Sequence, residues 1–329
     1  MKKSRFCTVL LIFILFPLIV SGCGSQSANK VEPESDYGIN IDGDNVTFTD
    51  ARGKELTIPK NPERVVCLDN SCLDLWYKCG GKAVGRVSPT EDKPVDEAKD
   101  VEIVGDLSSP SVEKILFLEP DLVIIASQRK SQLEAASILE QNGIDVVVVD
   151  VIFKEDYFQV VRLFTVLTGR EDLYEKYAID VMDSIEEIIK KVPKDKKPKV
   201  LILFATAKDI STRDSNTTVG QMVKDLGAVN ISDCDTGNDN ASSKIFSMEK
   251  IIEEDPDFIF VQTMGSDKVK ITERIKKDVE SNPAWSSLKA VKEGRYIILP
   301  KDLYLYKAND RYHEAYEGLA KILYPEVFK

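Results

Sequence analysis

Residues 157–192 read YFQVVRLFTVLTGREDLYEKYAIDVMDSIEEIIKKV, a run that contains one glycine and no proline. Its second half places apolar residues at three- and four-residue steps with Glu, Asp and Lys between them, which predicts an amphipathic helix. The apolar series is Leu173, Tyr174, Tyr177, Ala178, Val181, Met182, Ile185, Ile188 and Ile189. A helix over residues 171–192 has a length of roughly 33 Å, which is sufficient to link two lobes. Thr168-Gly169 separates it from a shorter helix before it.

Short apolar runs alternate with helix-like segments on both sides of this stretch. Before it, we predict a hairpin from residues 46–49 and 55–58, strands at 64–68, 82–86, 101–104, 121–126 and 144–149, and helices at 70–79, 111–118 and 130–141. Asn70 or Ser71 is the expected cap of the first of these helices. After it, we predict strands at 199–204, 258–262 and 295–299 and helices at 219–226, 248–252 and 309–323. This alternation predicts a largely parallel sheet covered on both faces, and therefore the α/β class.

One short pattern occurs on each side of the long helix. Ser111-Val112-Glu113-Lys114-Ile115 in the first half corresponds to Ser247-Met248-Glu249-Lys250-Ile251 in the second, and a Pro-Asp pair and a strand follow both. We interpret them as equivalent elements of two lobes. Glu113 and Glu249 lie in the first turn of their helices, where a carboxylate can serve as part of a cap. The alternative is that the two glutamates dock onto arginines of a two-fold-related partner.

The N-terminus has the pattern of a secretory leader. Three basic residues precede an apolar run over 6–20, and Ser21-Gly22-Cys23 resembles the bacterial lipobox, in which the cysteine becomes lipid-modified. We therefore predict a lipoprotein signal peptide at 1–22, lipidation of Cys23 and a flexible tether at 23–40. The folded part then divides into an N-terminal α/β lobe at 41–153, linker helices at 154–193 and a C-terminal α/β lobe at 194–329.

Charge and cysteine content limit the partners. The net charge is −11, and removal of the leader with its three positive charges makes it −14, which argues against nucleic acid as a partner. Of the six cysteines, Cys67, Cys72, Cys79 and Cys234 remain after Cys7 and Cys23 are assigned to the leader and the lipid. They form no CxxC pair that would indicate zinc, and we expect buried free thiols rather than a disulfide framework or a metal site.

The sequence contains no pattern of a known catalytic site. It has one histidine, His313, and lacks the Gly-x-Ser-x-Gly, Walker and His-Glu-x-x-His sequences. No nucleophile is grouped with a base in the sequence, so we expect a protein that is not an enzyme. A binding protein, a ligand sensor and an adhesion module of the same fold all remain compatible with these observations.

Motifs spread over nearly the whole chain resemble those of the solute-binding lipoproteins of ABC importers for ferric siderophores, cobalamin and haem. They are residues 48–53 (FTDARG), 62–66 (PERVV), 104–106 (VGD), 111–115 (SVEKI), 119–124 (EPDLVI), 247–251 (SMEKI), 283–285 (PAW) and 291–295 (VKEGR). The resemblance implies the fold of class III periplasmic binding proteins, in which one long α-helix joins two Rossmann-like lobes. It also implies that Glu113 and Glu249 dock onto an ABC permease dimer with its ATPase.

The resemblance further implies a monomer that is lipid-anchored on the extracytoplasmic face of the cell membrane. Its ligand would be an iron complex, with a ferric siderophore as our first expectation and cobalamin or haem as the alternative, and no resident cofactor is expected. The histidine or a tyrosine would have to ligate a haem iron. A ligand-sensing module is the less favoured reading.

The ligand site of such a protein lies between the lobes, where strands end and helices begin. By position in the pattern, the predicted ligand-binding residues are Asn70, Ser71, Arg86, Ser108, Arg129, Lys130, Arg213, Lys244, Thr263, Tyr304 and Tyr306, with Ser109, Thr206 and the rest of residues 302–307 nearby. Arginine and lysine suit an anionic ferric complex, and the two tyrosines would pack against its organic part.

Overall fold

A computed structural model describes residues 37–234, 243–245 and 248–329. The predicted leader at 1–22, Cys23, most of the tether at 23–40, and Ser247 lie outside the described residues, as does the side chain of Lys244. No helix in the described part has the length and apolar character that crossing a membrane requires.

The long linker is present as predicted. Helix α4 covers Lys154–Leu167 and ends at Thr168-Gly169, where Gly169 adopts a positive φ of 65°. The next helix runs through α5 (Asp172–Tyr174), a π-helical segment (Glu175–Ile179) and α6 (Asp180–Lys191). These twenty residues span roughly 30 Å. Their buried side chains are Ala178, Val181 and Ile185, which belong to the apolar series of the sequence.

The first half of the chain forms a small antiparallel sheet and a larger parallel one. The small sheet contains β1 (Asn40–Asp42), β2 (Asn45–Thr49) and β3 (Glu55–Pro59). The parallel sheet contains β4 (Val65–Cys67), β5 (Gly85–Arg86), β6 (Glu102–Ile103), β9 (Leu122–Ala126) and β10 (Asp145–Val149), in the order β10-β9-β4-β5-β6. A short pair, β7 (Gly105–Asp106) and β8 (Ser109–Pro110), was not predicted. The helices are α1 (Asn70–Lys78), α2 (Val112–Phe117) and α3 (Lys130–Gln141).

The second half forms a mixed sheet, which is parallel in its larger part as predicted and carries two antiparallel strands at one edge that were not predicted. Its strands are β11 (Lys199–Ala205), β12 (Ile210–Arg213), β13 (Val229–Asn230), β14 (Ser243–Ile245), β15 (Phe258–Thr263) and β16 (Tyr296–Ile298). β12 and β14 are antiparallel, whereas β13, β15 and β16 continue the parallel part from β11. The polar sequence of β12 gave no strand signal. The helices are α7 (Thr218–Asp225), α8 (Met248–Glu254), α9 (Lys268–Ile275), α10 (Lys289–Lys292), α11 (Lys301–Tyr304) and α12 (Tyr312–Leu323).

The parallel strands in the middle of each large sheet are buried on both faces, as the apolar runs predicted. In β9, Leu122 and Ile124 point to one face, and Val123 and Ile125 point to the other, where they meet Leu139 of α3. In the second sheet, Leu201, Leu203 and Ile259 pack with residues of α9 on the outer face. The strands therefore read as continuous apolar runs because neither face is exposed to water.

The inner faces of the two sheets share one hydrophobic core. Ile124 of the first sheet and Ile202 of the second belong to the same cluster of buried residues, together with side chains of α4, α6, α7 and α12. Within it, the rings of Tyr157 on α4 and Tyr312 on α12 have centroids 5.2 Å apart. The two lobes are thus joined by packed apolar side chains as well as by the linker helix.

Candidate functional site

A cleft lies between the lobes at the edge where parallel strands of both sheets end. It has a volume of about 440 Å³ and is lined by residues of both halves of the chain. From the first lobe these are Asp69, Asn70, Ser71, Thr90, Glu91, Asp92, Leu107 and Arg129; from the second they are Met264, Gly265, Ser266, Lys268, Lys301, Leu305, Tyr306 and Lys307. Asp69 follows β4, Arg129 follows β9, and Met264 follows β15, so the cleft has the position that α/β sheets favour for a ligand.

The first-lobe wall is built around the starts of two helices. Asp69 is the N-cap of α1, and its carboxylate accepts hydrogen bonds from the backbone N–H groups of Ser71 (2.8 Å) and Cys72 (3.1 Å). The prediction that Asn70 or Ser71 caps this helix is therefore wrong, because the carboxylate one residue earlier reaches both donors. Arg129 occupies the corresponding position before α3 without a side-chain cap bond. The carboxylate of Asp69 is therefore engaged in capping α1, whereas the guanidinium of Arg129 makes no cap bond and is available to a ligand.

Three lysines bring positive charge to the second-lobe wall. The ammonium of Lys301 donates to the carboxylate of Asp92 (3.0 Å) and to the carbonyl of Gly265 (2.9 Å). The ammonium of Lys307 donates to the hydroxyl of Thr218 (3.2 Å), and burial lowers its pKa, opposed by the nearby charge of Asp69. Lys268 is exposed at the start of α9.

A loop of the first lobe crosses to the second lobe beside the cleft. We call residues 88–95 the cross-lobe loop. Its Asp92 accepts hydrogen bonds from Lys301 (3.0 Å) and from the hydroxyl of Tyr306 (3.3 Å), and the Lys301 hydrogen bond lowers the pKa of the carboxyl. Its Lys93 donates to the carbonyl of Lys307. Asp92 and Lys301 also line an adjoining cavity of about 440 Å³, which contains Thr263 and the aliphatic side chains of Ile271, Ile275, Ile298 and Leu299.

The cleft carries more cations than carboxylates although the chain is strongly acidic. The lining contains four cationic side chains, Arg129, Lys268, Lys301 and Lys307, and three carboxylates, Asp69, Glu91 and Asp92. Within the described residues, neither Arg129 on the first wall nor Lys268 on the second forms an ion pair. Leu107, Met264 and Leu305 supply apolar surface between them. This arrangement can bind an anion with an organic body.

The structure brings together four of the predicted ligand residues and places a fifth next to them. Asn70, Ser71, Arg129 and Tyr306 line the cleft, and Thr263 lines the adjoining cavity. The hydroxyl of Tyr306 is bonded to Asp92 and its ring borders the cleft, which is compatible with packing against a ligand.

Arg86 is a structural residue, and its prediction as a ligand residue is corrected. It is 3% exposed, and its guanidinium donates to the carbonyls of Val87 (3.1 Å) and Ala98 (3.0 Å) and to the side-chain oxygen of Asn70 (2.7 Å). The amide of Asn70 in turn donates to Ser88 and Thr90. This network fixes the base of the cross-lobe loop, and Arg86 itself is not part of the cleft lining.

Tyr304 also requires correction. It is 4% exposed, and its hydroxyl donates to the carbonyl of Ala315 (3.0 Å) within the second-lobe core. A Cβ added at Gly318 would lie 2.4 Å from that hydroxyl, so the ring packs directly on α12. Residues 301–304 form a helical turn rather than an open loop, and this turn directs Tyr304 inward.

Other predicted residues lie outside the cleft. Ser108 is exposed in the turn between β7 and β8, and Lys130 is turned to solvent, 3.7 Å from Glu134. Arg213 stacks on Phe204, with 4.0 Å from the guanidinium carbon to the ring centroid, and burial lowers its pKa. Ser109 and Thr206, named as neighbours of the site, are also absent from its lining. The role of Lys244 stays a prediction because its side chain is not described.

Sequence reasoning missed Asp92, Met264, Lys268 and Lys301. Met264 and Lys301 follow the predicted strands at 258–262 and 295–299, so the rule that sites lie where strands end would have selected them. Lys268 begins a helix that was not predicted, and Asp92 lies on a loop with no periodic signal. Only the fold brings these last two to the cleft.

The two predicted docking glutamates are both exposed in the first turns of short helices. Ser111 is the N-cap of α2, and its hydroxyl accepts from the backbone of Lys114 (3.3 Å) as predicted. The backbone N–H of Ser111 donates to Val104 rather than to Glu113, so Glu113 takes no part in a capping box. Glu249 lies in the first turn of α8. In the part of the chain that the structure describes, neither carboxylate has an ion-pair partner.

The histidine and the described thiols lie away from the cleft surface. Cys67, Cys72 and Cys79 are free and buried, and burial raises the pKa of each thiol. Nδ1 of His313 lies 3.1 Å from the backbone carbonyl oxygen of Asp310, to which it donates as the protonated nitrogen, and His313 does not line the cleft. Among the described residues there is no group of three or more His, Cys, Asp and Glu side chains arranged for a metal ion.

The chain is similar to proteins of one kind along most of its length. A family model described as periplasmic binding protein matches residues 65–303. An uncharacterized ABC transporter substrate-binding lipoprotein of Bacillus subtilis, YvrC, is 30% identical over 324 residues, with 96% of each chain covered. The Fe(3+)-citrate-binding protein YfmC of the same organism is 26% identical over 312 residues, with 91% of each chain covered.

Solved structures share the fold. Staphylococcus aureus IsdE, crystallised with heme, superposes with a TM-score of 0.68 at 20% identity, covering 79% of this chain and 98% of its own. The triscatecholate siderophore binding protein FeuA of B. subtilis, complexed with ferri-bacillibactin, superposes with a TM-score of 0.66 at 22% identity, covering 84% and 97%. These similarities agree with the predicted fold class, two α/β lobes joined by one long helix.

Proposed function

The chain belongs to the periplasmic binding protein family, as a substrate-binding protein of an ABC transporter, and from this premise we propose that it captures an anionic ferric complex, in the first place a ferric siderophore, between its lobes. Proteins of this family bind a solute for transport and are not enzymes, which agrees with the expectation from the sequence.

One observation carries the ligand assignment. Arg129 and Lys268 face the cleft from opposite lobes, and neither forms an ion pair within the described residues. A guanidinium and an ammonium across a gap suit a ligand with negative oxygens on two sides, because charge-assisted hydrogen bonds to such oxygens are short and strong. Catecholate and carboxylate complexes of Fe(III) have this character. Leu107, Met264 and Leu305 would contact the carbon framework of the ligand.

Similar proteins support the same class of ligand. One curated relative is named for Fe(3+)-citrate, and one structural neighbour is titled as a triscatecholate siderophore binding protein. Both ligands are oxygen-rich ferric complexes. The balance of charge in the cleft, four cations against three carboxylates in a chain of net charge −11, fits a ligand of this kind.

Attachment and partners complete the proposal. Relatives are named as lipoproteins, and the lipobox-like sequence at Cys23 supports anchoring of this chain to the extracytoplasmic face of the cell membrane as a monomer. We further propose that Glu113 and Glu249 dock onto a permease dimer with its ATPase. The exposure of both side chains, and the absence of Glu113 from a capping box, support docking over the capping interpretation.

A binding titration with defined complexes tests the ligand class. The protein without its leader is titrated with ferric enterobactin, ferric citrate and ferrioxamine, with gallium-loaded and iron-free forms as controls, and intrinsic fluorescence is measured. We expect an anionic ferric complex to bind and its iron-free form to bind less well. Binding of none of the ferric complexes, together with tight binding of cobalamin, would overturn the assignment.

Haem is the second candidate, since two side chains of the cleft can ligate its iron. Met264 is 47% exposed in the cleft, and the hydroxyl of Tyr306 lies on the same wall. His313 is not at the cleft, so a histidine ligand is not available there. A haem titration followed by absorption distinguishes the candidates: a Soret band that Met264→Ala or Tyr306→Phe shifts would favour haem over a siderophore.

A further inference from the structure

Phe117, the last residue of α2, is almost completely exposed. It is 86% accessible, the highest value among the large apolar side chains of the described residues. A single exposed apolar residue is ordinary on a protein surface. A phenyl ring at this level of exposure, however, has nearly its whole apolar surface in contact with water, so burial of the ring against a partner would be favourable. The side chains and charges around Phe117 indicate what kind of partner could cover the ring.

Phe117 shares a helix face with Glu113. The two are four residues apart on α2, so their side chains project from the same side. The other charged group of the helix is turned to its own lobe, since the ammonium of Lys114 donates to the carbonyl of Ile103 (3.2 Å). Glu113 and Phe117 therefore form an exposed acidic and apolar pair.

The end of α2 is held in one position. Arg64 donates to the carbonyl of Leu118 (2.6 Å and 3.0 Å) and to that of Glu119 (3.1 Å), and Glu119 turns the chain with a positive φ of 46°. The ring of Phe117 is thus presented from a fixed backbone. An aromatic side chain held on a fixed backbone can serve as the anchor of a binding hot spot.

The charges around this pair indicate the kind of partner. Glu102, Glu113 and Glu119 are exposed on or beside α2, as are the two cations Arg64 and Lys114, so carboxylates outnumber cations at this surface. Negative charge at this surface is repelled by anionic lipid headgroups and attracted by a basic protein surface. The equivalent helix α8 carries Glu253, not an aromatic residue, at the fourth position after Glu249. The two lobes consequently offer different surfaces to a partner.

We propose that Phe117 and Glu113 form one docking face for the permease, with Phe117 entering an apolar recess beside the basic group that pairs with Glu113. The inference rests on the proposed function and extends it from paired charges to a specific apolar anchor on one lobe. It assigns the first lobe a contact that the second lobe cannot make in the same way.

The test measures association with the permease–ATPase complex of the same bacterium in nanodiscs, using full-length lipidated protein. Phe117→Ser is compared with Phe117→Leu, which keeps an apolar side chain, and with Ile138→Ser, which removes an exposed apolar residue from α3 of the same lobe. We expect Phe117→Ser to weaken association about 10-fold or more, and the other two variants to change it less than about 3-fold. Circular dichroism and thermal unfolding verify that all variants fold.

Three outcomes separate the inference from its premise. If wild type associates and Phe117→Ser associates equally well, the inference is wrong and the proposed function stands. If Phe117→Ser and Ile138→Ser weaken association equally, the effect is not specific to the α2 face and the inference is again wrong. If wild type neither associates nor supports uptake of a ferric complex, the proposed function and the inference fail together.

Discussion

At the scale of single residues, basic side chains of this protein divide into structural and accessible ones. Arg86 has its guanidinium bonded to three oxygen acceptors inside the first lobe, whereas Arg129 borders the cleft without an ion pair among the described residues. In the sequence each arginine comes at or after the end of a short apolar run, so the sequence pattern alone does not distinguish them. What separates them is their place in the fold, because Arg86 belongs to β5 inside the lobe and Arg129 is the residue before α3 at the edge of the cleft.

The first prediction concerns the two accessible cations. Arg129→Glu and Lys268→Glu should each weaken binding of an anionic ferric complex by 10-fold or more, on the order of 1.4 kcal/mol, because a carboxylate now faces the ligand. Binding to wild type should also weaken as salt rises from about 0.05 M to about 0.5 M, because screening shortens the range of such attraction. Isothermal titration measures both effects.

Matched controls lie next to each of these residues. Lys130→Glu and Lys270→Glu make the same charge change on side chains that point to solvent and do not line the cleft. They should leave affinity nearly unchanged. An equal loss in the controls would mean that overall charge, and not the cleft, determines affinity.

The second prediction concerns Arg86. Arg86→Ala should lower the free energy of unfolding by about 3 kcal/mol, because the carbonyls of Val87 and Ala98 and the amide oxygen of Asn70 lose a buried donor. Arg129→Ala should lower it by less than about 0.5 kcal/mol. Urea unfolding measures both, and a stable Arg86→Ala variant that fails to bind ligand would restore the original assignment of this residue to the site.

At the scale of elements, the helices predicted from the strongest periodic signals agree best with the structure. The helix predicted at 130–141 is Lys130–Gln141, and the long helix predicted at 171–192 is present at 172–191 with a π-helical segment inside. α9 was missed because it is only eight residues long, with three apolar residues among charged and polar ones, which gives a weak periodic signal. β12 was missed because its pairing with β11 and β14, rather than its own composition, makes it a strand.

The third prediction tests the linker helix. Ile185→Ala should lower the free energy of unfolding by about 2–5 kcal/mol, because the side chain is buried in the shared core where α6 packs on α12. Glu187→Ala, two residues later on the exposed side, should change it by less than about 0.5 kcal/mol. Thermal unfolding compares the two, and similar small effects would indicate that α6 contributes little to the core.

At the scale of the whole molecule, one apolar core lies between the two sheets. It contains Ile124 of the first sheet, Ile202 of the second and the Tyr157–Tyr312 contact. The sequence predicted two lobes and one helix between them. It could not show the packing across the lobes, since the residues that meet are far apart in the chain.

The fourth prediction follows from this packing. Small-angle scattering curves of the protein with and without a bound ferric complex should nearly superpose, because opening the lobes would expose the shared core to water. Calorimetry should show one unfolding transition for the same reason. A marked compaction on binding, or two separate transitions, would contradict a single core.

The shared core also has a consequence for how this protein can diverge. Two separate domains can be exchanged by recombination at their linker, but here a crossover near residue 168 would place α4 of one parent against α12 of the other. The Tyr157–Tyr312 contact would then have to be matched by both parents. We expect chimeras with a relative of 30% identity to lose stability at this seam. New ligand preferences should therefore arise through point changes around the cleft, while the two halves are inherited together.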